Sequence, residues 1–231
     1  AFMNKPYVIC HMAASIDGRI STSAWNLSPE GRTEYERTAA TYQADAWMCG
    51  RITMAAYAHG TAPVTSAPPA GLAKTDFFAP HTHGPYAIAV DPSGKLYWHT
   101  NAIDGDHVVA VLTEHVAAEY LAFLRAQQVS YFFAGTQTID LPTALAKIAE
   151  TLQVKTLLLE GGGKINGAML QAGLIDEISL LLAPIADGTK GTPTLFDSLA
   201  QAVGVHPAVR LTLLAMEQCA DDVVWLRYRC S

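Results

Sequence analysis

The sequence is poor in charge and cysteine and has no long apolar run, and each shortage excludes a class of function. Only 16% of its 231 residues are charged, 15 Lys and Arg against 21 Asp and Glu, with no basic cluster. A nucleic-acid backbone is held by grouped cations, so no nucleic-acid partner is expected. The apolar windows, such as 156–159 and 178–183, all fall far short of the roughly 20 residues a bilayer span needs, so no membrane partner is expected either. Cys10, Cys49, Cys219 and Cys230 lie too far apart for a C-x-x-C zinc or redox pair, which leaves reduced thiols in a cytoplasmic protein as the expectation. No G-x-S-x-G elbow marks a hydrolase and no secretory segment opens the chain. Ala1 and Phe2, ahead of Met3, are read as a cloning remnant.

What is present is a core. Half of the residues are apolar, enough for one compact domain over residues 3–231. Tyr7–Ala14, Ala44–Cys49, Ala87–Val90, His107–Leu112, Val129–Phe133 and Thr156–Leu159 are short apolar, β-branched or aromatic runs with the signature of strands. Helical patterns lie between several of them. Ser28 and Pro29 form an N-cap and first-turn pair before Glu34–Tyr42, Thr113 is placed to cap Glu114–Gln127, and Asp140 precedes an apolar stripe ending at Leu152. This alternation predicts a mixed, mostly parallel α/β sheet flanked by helices. Val209–Glu217 and Val223–Tyr228 add a C-terminal antiparallel hairpin. Residues 59–86 carry five prolines and three glycines with no sustained period, a functional flap or a surface excursion.

The stretch LLLEGGGKINGAML, residues 157–170, runs a strand into an acid, three glycines and a helix. Gly161, Gly162 and Gly163 before a helix N-terminus suit a cofactor pyrophosphate: backbone amides converge where no Cβ blocks approach, and the helix dipole attracts the anion. A tight turn without ligand has the same pattern. The G-x-G-x-x-G spacing of a Rossmann turn fails, because its third glycine would fall on Asn166. Gly173 is the expected helix stop.

Together with YVICHMAASIDGRI (7–20), DAWMCGRITM (45–54) and VVAVLTE (108–114), the glycine stretch, continued through residue 188, resembles the reductase domain of the bacterial riboflavin-biosynthesis deaminase/reductase, in the dihydrofolate-reductase-like superfamily. The resemblance implies that fold, NADPH as cofactor, a small-molecule substrate and a homodimer. It maps cofactor contacts onto Gly50, Arg51 and Thr53 and onto Gly161, Gly162 and Gly163, with Ala14, Thr113, Lys164 and Ile165 beside them. Arg51 has independent sense, since a guanidinium forks onto a 2′-phosphate, although a solvated strand-end charge is the plainer alternative. Ser15, Asp17 and Glu160 are the implied catalytic group, Asp17 orienting substrate or relaying a proton. Asp17-Gly18 is equally a common turn pair.

Trp25 and Arg32 are the expected substrate contacts. Trp25, Tyr35, Trp47 and Trp98 could each stack on a flat heterocycle or simply fill the core. His81 and His83 fit no standard metal-ligand spacing, and no metal is expected. Two departures bear on the substrate. The aspartate that helps bind the pyrimidine in the riboflavin enzymes has no counterpart in TMAAYAHGTAP (53–63), and of the basic cluster after Trp25 only Arg32 and Arg37 remain. The expected function is NADPH-dependent reduction of a C=N or C=O bond in a small heterocyclic or sugar-linked substrate. The alternatives are the riboflavin-pathway ribosylaminopyrimidine phosphate step itself, and a nucleotide-binding protein without turnover.

Overall fold

The computed structural model of the chain describes residues 4–62, 72–81, 84–197 and 208–231. The expected cloning remnant, His83 and residues 63–71 of the Pro-rich segment lie outside the described residues. Among the described residues the order is β1 (Tyr7–Ala14), α1 (Pro29–Ala40), β2 (Ala46–Gly50), α2 (Arg51–Met54), β3 (Tyr86–Val90), β4 (Ala102–Ile103), β5 (Asp106–Leu112), α3 (Ala118–Ala126), β6 (Ser130–Phe133), α4 (Leu141–Glu150), β7 (Thr156–Leu159), α5 (Gly163–Gln171), β8 (Glu177–Leu182), β9 (Leu211–Gln218) and β10 (Val224–Cys230). This is the mixed, mostly parallel α/β architecture with a C-terminal antiparallel hairpin that the alternation of strand and helix predicts. The chain falls into two compact units: Ala1–Pro6 with Asp45–Lys155, and Tyr7–Ala44 with Thr156–Ser231.

In the first unit β2, β3 and β5 are parallel and in register through Gly50, Val90 and Val111, so all three end at one level. β6 pairs parallel with β5, and β4 turns back against it. The strands are near-continuous apolar runs because a parallel sheet is covered on both faces. Val108, Ala110 and Leu112 of β5 pack with Leu121 and Leu124 of α3 and with Trp98 and Tyr131. Asp140 caps α4 as expected, its side chain accepting from the Thr143 amide at 3.0 Å. Thr113 does not cap α3. That helix begins five residues later at Ala118, and the Thr113 hydroxyl instead donates to the Pro92 carbonyl at 2.6 Å. The described end of the Pro-rich segment is fastened to its own unit: Phe77 bridges to Tyr131, and Asp76 accepts from the Phe133 amide and Lys147 Nζ. Asp76 is therefore neutralised by Lys147, and His81 stacks on His107 with ring centroids 4.4 Å apart.

In the second unit β1 lies between β7 and β8, parallel to both, and β10 runs antiparallel to β8. β8 falls in an apolar window that gave no strand signal of its own, because Glu177 and Ser179 interrupt it. Both are buried and satisfied, Glu177 by Tyr7, Tyr42 and Arg227. Ser28 accepts from the Gly31 amide at 3.1 Å and Pro29 opens α1, the expected cap. α1 is tied down by His11, whose Nε2 meets the Tyr35 carbonyl at 3.1 Å and whose Nδ1 meets Ser179 Oγ at 2.9 Å. A carbonyl only accepts, so Nε2 carries the proton and the neutral imidazole accepts from Ser179, which in turn accepts from Trp225 Nε1.

Burial lowers the pKa of His11 to about 4, and it lowers that of His107 to about 4 with help from the neighbouring His81. The unfolded chain takes up these protons near pH 6.5 and the folded chain only near 4, so stability is full above about 6.5 and is lost as pH falls towards 4. Denaturant unfolding stepped through that window is expected to show a loss of up to about 3 kcal/mol for each histidine, and a flat profile would contradict the assignment.

Candidate active site

β1 outlasts β7. Their last pair is Cys10 with Leu159, and β1 continues through His11–Ala14 alongside β8. The chain leaves β7 as Glu160 and turns at Gly161, where an added Cβ would meet the Met12 thioether at 3.1 Å. Above this ledge the second unit contains a cavity of about 440 Å³. Met12 and Leu181 contribute to its walls, with Trp25 and Tyr35 offering aromatic surface and Arg32 and Glu160 offering charge. Trp25, Arg32 and Glu160 are thus brought together as the sequence suggests. Arg32 is held by Nε to the Leu27 carbonyl at 3.1 Å and Nη2 to the Trp25 carbonyl at 3.3 Å. Trp47 and Trp98 are elsewhere: Trp98 is buried in the first unit, and Trp47 donates to Asp106 at 2.8 Å.

Ser15 and Asp17 form a clamp rather than an open acid. Ser15 Oγ donates to Asp17 Oδ1 at 2.8 Å and accepts from the Arg19 amide at 2.9 Å. The Asp17 carboxylate also accepts from the amides of Asp187 at 3.0 Å and Gly188 at 2.9 Å, with Arg19 Nε 3.7 Å away. Those amides and the Ser15 hydroxyl hold its carboxyl well below the usual carboxylate range. A group so held is ionised at neutral pH and has no proton to give. Relaying a proton does not fit this geometry, and the turn that Asp17-Gly18 equally suggests is present: Gly18 has φ +79° and its amide donates to the Ser15 carbonyl. The clamp ties the loop after β1 to the loop after β8, both of which supply cavity wall through Ile20 and Ala183.

The glycine turn has two kinds of glycine. Gly161, φ +99°, needs its freedom for the turn itself, and the peptide joining it to Gly162 is cis. Gly162 caps α5 in ordinary extended backbone, with no side-chain acceptor and no acid in the first turn. Gly163 and Gly167 are glycine because their own chain lies against them: an added Cβ would run into the Thr194 carbonyl and the Asp197 backbone respectively, and the Asp197 amide donates to the Gly163 carbonyl at 2.9 Å. Asn166 donates to the Leu195 carbonyl at 3.1 Å while its buried Oδ1 has no partner among the described residues. Lys164 is exposed and Ile165 half-buried on the first turn, and Ala14 is buried at the end of β1. The first turn of α5 has no acid of its own and no side-chain cap, the elements of a diphosphate site, although the Asp197 carboxylate stands beside Gly163, 2.6 Å from where a Cβ would lie. Gly173, φ +66°, ends the helix as expected.

In the first unit Gly50 and Arg51 follow β2, with Arg51 exposed and Thr53 half-buried on α2. Asp91 follows β3 and Thr113 follows β5, so by register Arg51, Asp91 and Thr113 share the carboxyl edge of three adjacent strands. Asp91 is buried and caps the next turn through the Lys95 and Leu96 amides at 2.6 and 2.9 Å. Burial pushes its carboxyl up, against the pull of those amides, Tyr120 and the Arg51 charge.

Glu36, Met12 and Val223 also line the cavity and were not anticipated. Glu36 was within reach, four residues after Arg32 and so on the same helix face. Val223 was not, because it arrives on the far hairpin.

The RibD C-terminal domain family model matches residues 6–225. A protein of Methanothermobacter thermautotrophicus named 2,5-diamino-6-ribosylamino-4(3H)-pyrimidinone 5′-phosphate reductase is 27% identical over 95% of this chain and 96% of its own length. Among solved structures, Acinetobacter baumannii RibD superposes with a TM-score of 0.66 at 21% identity over 99% of this chain, which spans 58% of that longer protein. A pyrimidine reductase-like protein of Corynebacterium diphtheriae gives 0.68 at 18% identity over 99% of this chain and 93% of its own.

Gly167→Ala is expected to lower unfolding stability by about 1–3 kcal/mol with no ligand present, because the new methyl group overpacks against Asp197. Thermal denaturation checks this, and an unchanged melting temperature would remove the packing explanation for that glycine.

Proposed function

Since the chain belongs to the RibD C-terminal domain family and is a reductase domain of that family, we propose that it uses NADPH to reduce a C=N or C=O bond in a small heterocyclic or sugar-linked substrate. The observation that carries this reading is the continuity of the cavity with the glycine turn: Glu160 lines the cavity, and the next residue begins the turn into the uncapped N-terminus of α5. NADPH supplies a hydride when bound. The acceptor carbon of the substrate gains that hydride and its two electrons, and the adjoining nitrogen or oxygen takes one proton from solvent. The diphosphate falls to the amides of Gly163 and Lys164, with Gly161 and Gly162 giving backbone access and Ala14 and Ile165 flanking them. Gly50, Arg51, Thr53 and Thr113 are the proposed cofactor contacts of the first unit, Arg51 for the 2′-phosphate. Trp25 supplies a stacking surface for the heterocycle and Arg32 a donor. Glu160 touches the substrate, and the Ser15–Asp17 pair fixes the loop that shapes the wall.

A second reading is the reaction named for the Methanothermobacter relative, favoured by identity along nearly its whole length. We also propose a cytoplasmic homodimer. β9 is an edge strand with Leu213 and Met216 54% and 70% exposed, the kind of edge a second copy covers. Light scattering is expected to return twice the monomer mass, and a monomer at micromolar concentration would contradict it.

Arg51→Ala is expected to weaken NADPH binding by about 10- to 100-fold, the worth of a charged hydrogen bond, and to leave NADH within about twofold. Fluorescence titration of both coenzymes checks this, with equal losses excluding the 2′-phosphate role. Consumption of NADPH absorbance across oxidised pteridines, pyrimidine ribosides and cyclic imines tests turnover. Binding without turnover on any of them would leave a nucleotide-binding protein instead.

A further inference from the structure

We propose that His11 is a positioning residue of this reductase: from β1 it holds α1 by the Tyr35 carbonyl and so sets the aromatic wall of the cavity against which the substrate ring lies. This deepens the reductase reading above and rests on it. His11 is fully buried and both of its ring nitrogens are engaged, Nε2 with the Tyr35 carbonyl at 3.1 Å and Nδ1 with Ser179 Oγ at 2.9 Å. It can act on a ligand only through what it holds. Tyr35 returns the bond, its hydroxyl donating to the His11 carbonyl at 3.0 Å while its ring lies against the imidazole with centroids 4.4 Å apart. Tyr35 is also cavity wall, beside Arg32 and Glu36 of the same helix.

The composition of α1 makes it depend on such a link. Its sequence, PEGRTEYERTAA, holds no Leu, Ile, Val, Met or Phe, and its buried residues are Gly31, Glu34, Thr38 and Ala39. A helix is ordinarily fixed by an apolar stripe pressed on the core. Here the one large ring is Tyr35, half-buried against Leu181, Val223 and Trp225, and the rest of the anchoring is polar. Three ties run to the terminal hairpin: Asp221 Oδ2 takes the Ser28 amide at 2.6 Å, the Ala220 amide donates to Glu34 Oε1 at 3.4 Å, and Arg37 pairs with Glu217 at 2.7 Å. The first and last of these are exposed, where water competes and the net contribution is small. The Tyr35 carbonyl also accepts from Thr38 Oγ1 at 3.0 Å, a bond within the helix that cannot place it on the sheet. The bond from His11 starts at a buried ring on an interior strand, and its loss would leave that ring unpaired.

The direction of the bonds is fixed from the far end. Trp225 Nε1 can only donate, and does so to Ser179 Oγ at 2.8 Å; the single Ser179 proton then goes to His11 Nδ1, and Nε2–H to the Tyr35 carbonyl. Residue 11 must accept on one side and donate on the other. Gln sets its amide nitrogen about where Nε2 lies and keeps the bond to Tyr35, whereas Asn sets its carbonyl about where Nδ1 lies and keeps only the bond to Ser179. Each variant loses one bond, but only His11→Asn lets go of α1.

The test uses 2,5-diamino-6-ribosylamino-4(3H)-pyrimidinone 5′-phosphate, the compound in the name of the Methanothermobacter relative. NADPH consumption gives KM and kcat, and calorimetry on the full chain gives Kd for compound and coenzyme. His11→Asn is expected to raise KM and Kd for the compound about tenfold, with kcat within about threefold and NADPH affinity within about twofold, because lost binding shared by ground and transition state moves KM alone. His11→Gln is expected to stay within about threefold of wild-type KM despite a comparable fall in melting temperature. Tyr35→Phe, which keeps the ring and drops the bond to the His11 carbonyl, is expected to raise KM about threefold. Variants that lose active protein in step with melting temperature while keeping wild-type KM show a purely structural histidine; that result, or equal rises in KM for Asn and Gln, overturns the inference and leaves the reductase reading standing. If His11→Asn does not fold, Tyr35→Phe decides, a raised Kd supporting the inference and an unchanged one overturning it. Binding of the compound by the wild-type chain without oxidation of NADPH removes the reductase reading, and the Kd ratios still decide the role of His11. No binding by the wild-type chain overturns both.

Discussion

The four-residue overhang of β1 beyond β7 is the constraint on which the rest of the second unit depends. It follows from the parallel register that pairs Cys10 with Leu159 and leaves His11–Ala14 to pair with β8 alone. A chain leaving β7 must turn beside Met12, and it can do so closely only with glycine at 161. The same overhang gives the cavity its floor, sets Glu160 at its rim and delivers the loop holding Ser15 and Asp17 to the loop after β8. Moving the register by one residue would turn every side chain of β1 to the other face.

Many of the charged groups are satisfied by the chain itself. Asp17 takes two amides and a hydroxyl, Asp221 takes the entrance to α1, Asp76 takes Lys147, and Glu177 takes Arg227 and two tyrosines. Side chains held this way rigidify loops, because losing one partner leaves a buried or part-buried polar group unpaired.

The sequence was most legible where structure is local. β1 and β7 run over the residues their patterns mark, and the caps of α1 and α4 are made by Ser28 and Asp140, since an N-cap needs only a side chain two or three residues from its amide. It misled where a distant group competed. Thr113 has the right type and position for a cap, yet its hydroxyl reaches the Pro92 carbonyl, delivered by a different strand. Of the three glycines that look like a phosphate cradle, 163 answers, as 167 beyond the cradle also does, to the segment around Asp197, about thirty residues on, a demand no window of sequence contains. The cavity was half legible, Trp25, Arg32 and Glu160 from resemblance and Glu36 from helical spacing, but Val223 from neither.

The proposed reductase chemistry requires hydride transfer from a nicotinamide to a substrate bound in this chain. NADPH deuterated at C4 on the transferred face, incubated with the full chain and a heterocycle that binds it, tests that claim by mass spectrometry of the product. One deuterium on the former C=N or C=O carbon, matched by an equal amount of oxidised coenzyme, is the predicted result. Oxidised coenzyme without label in the product, or bound coenzyme that never loses its label, would contradict it.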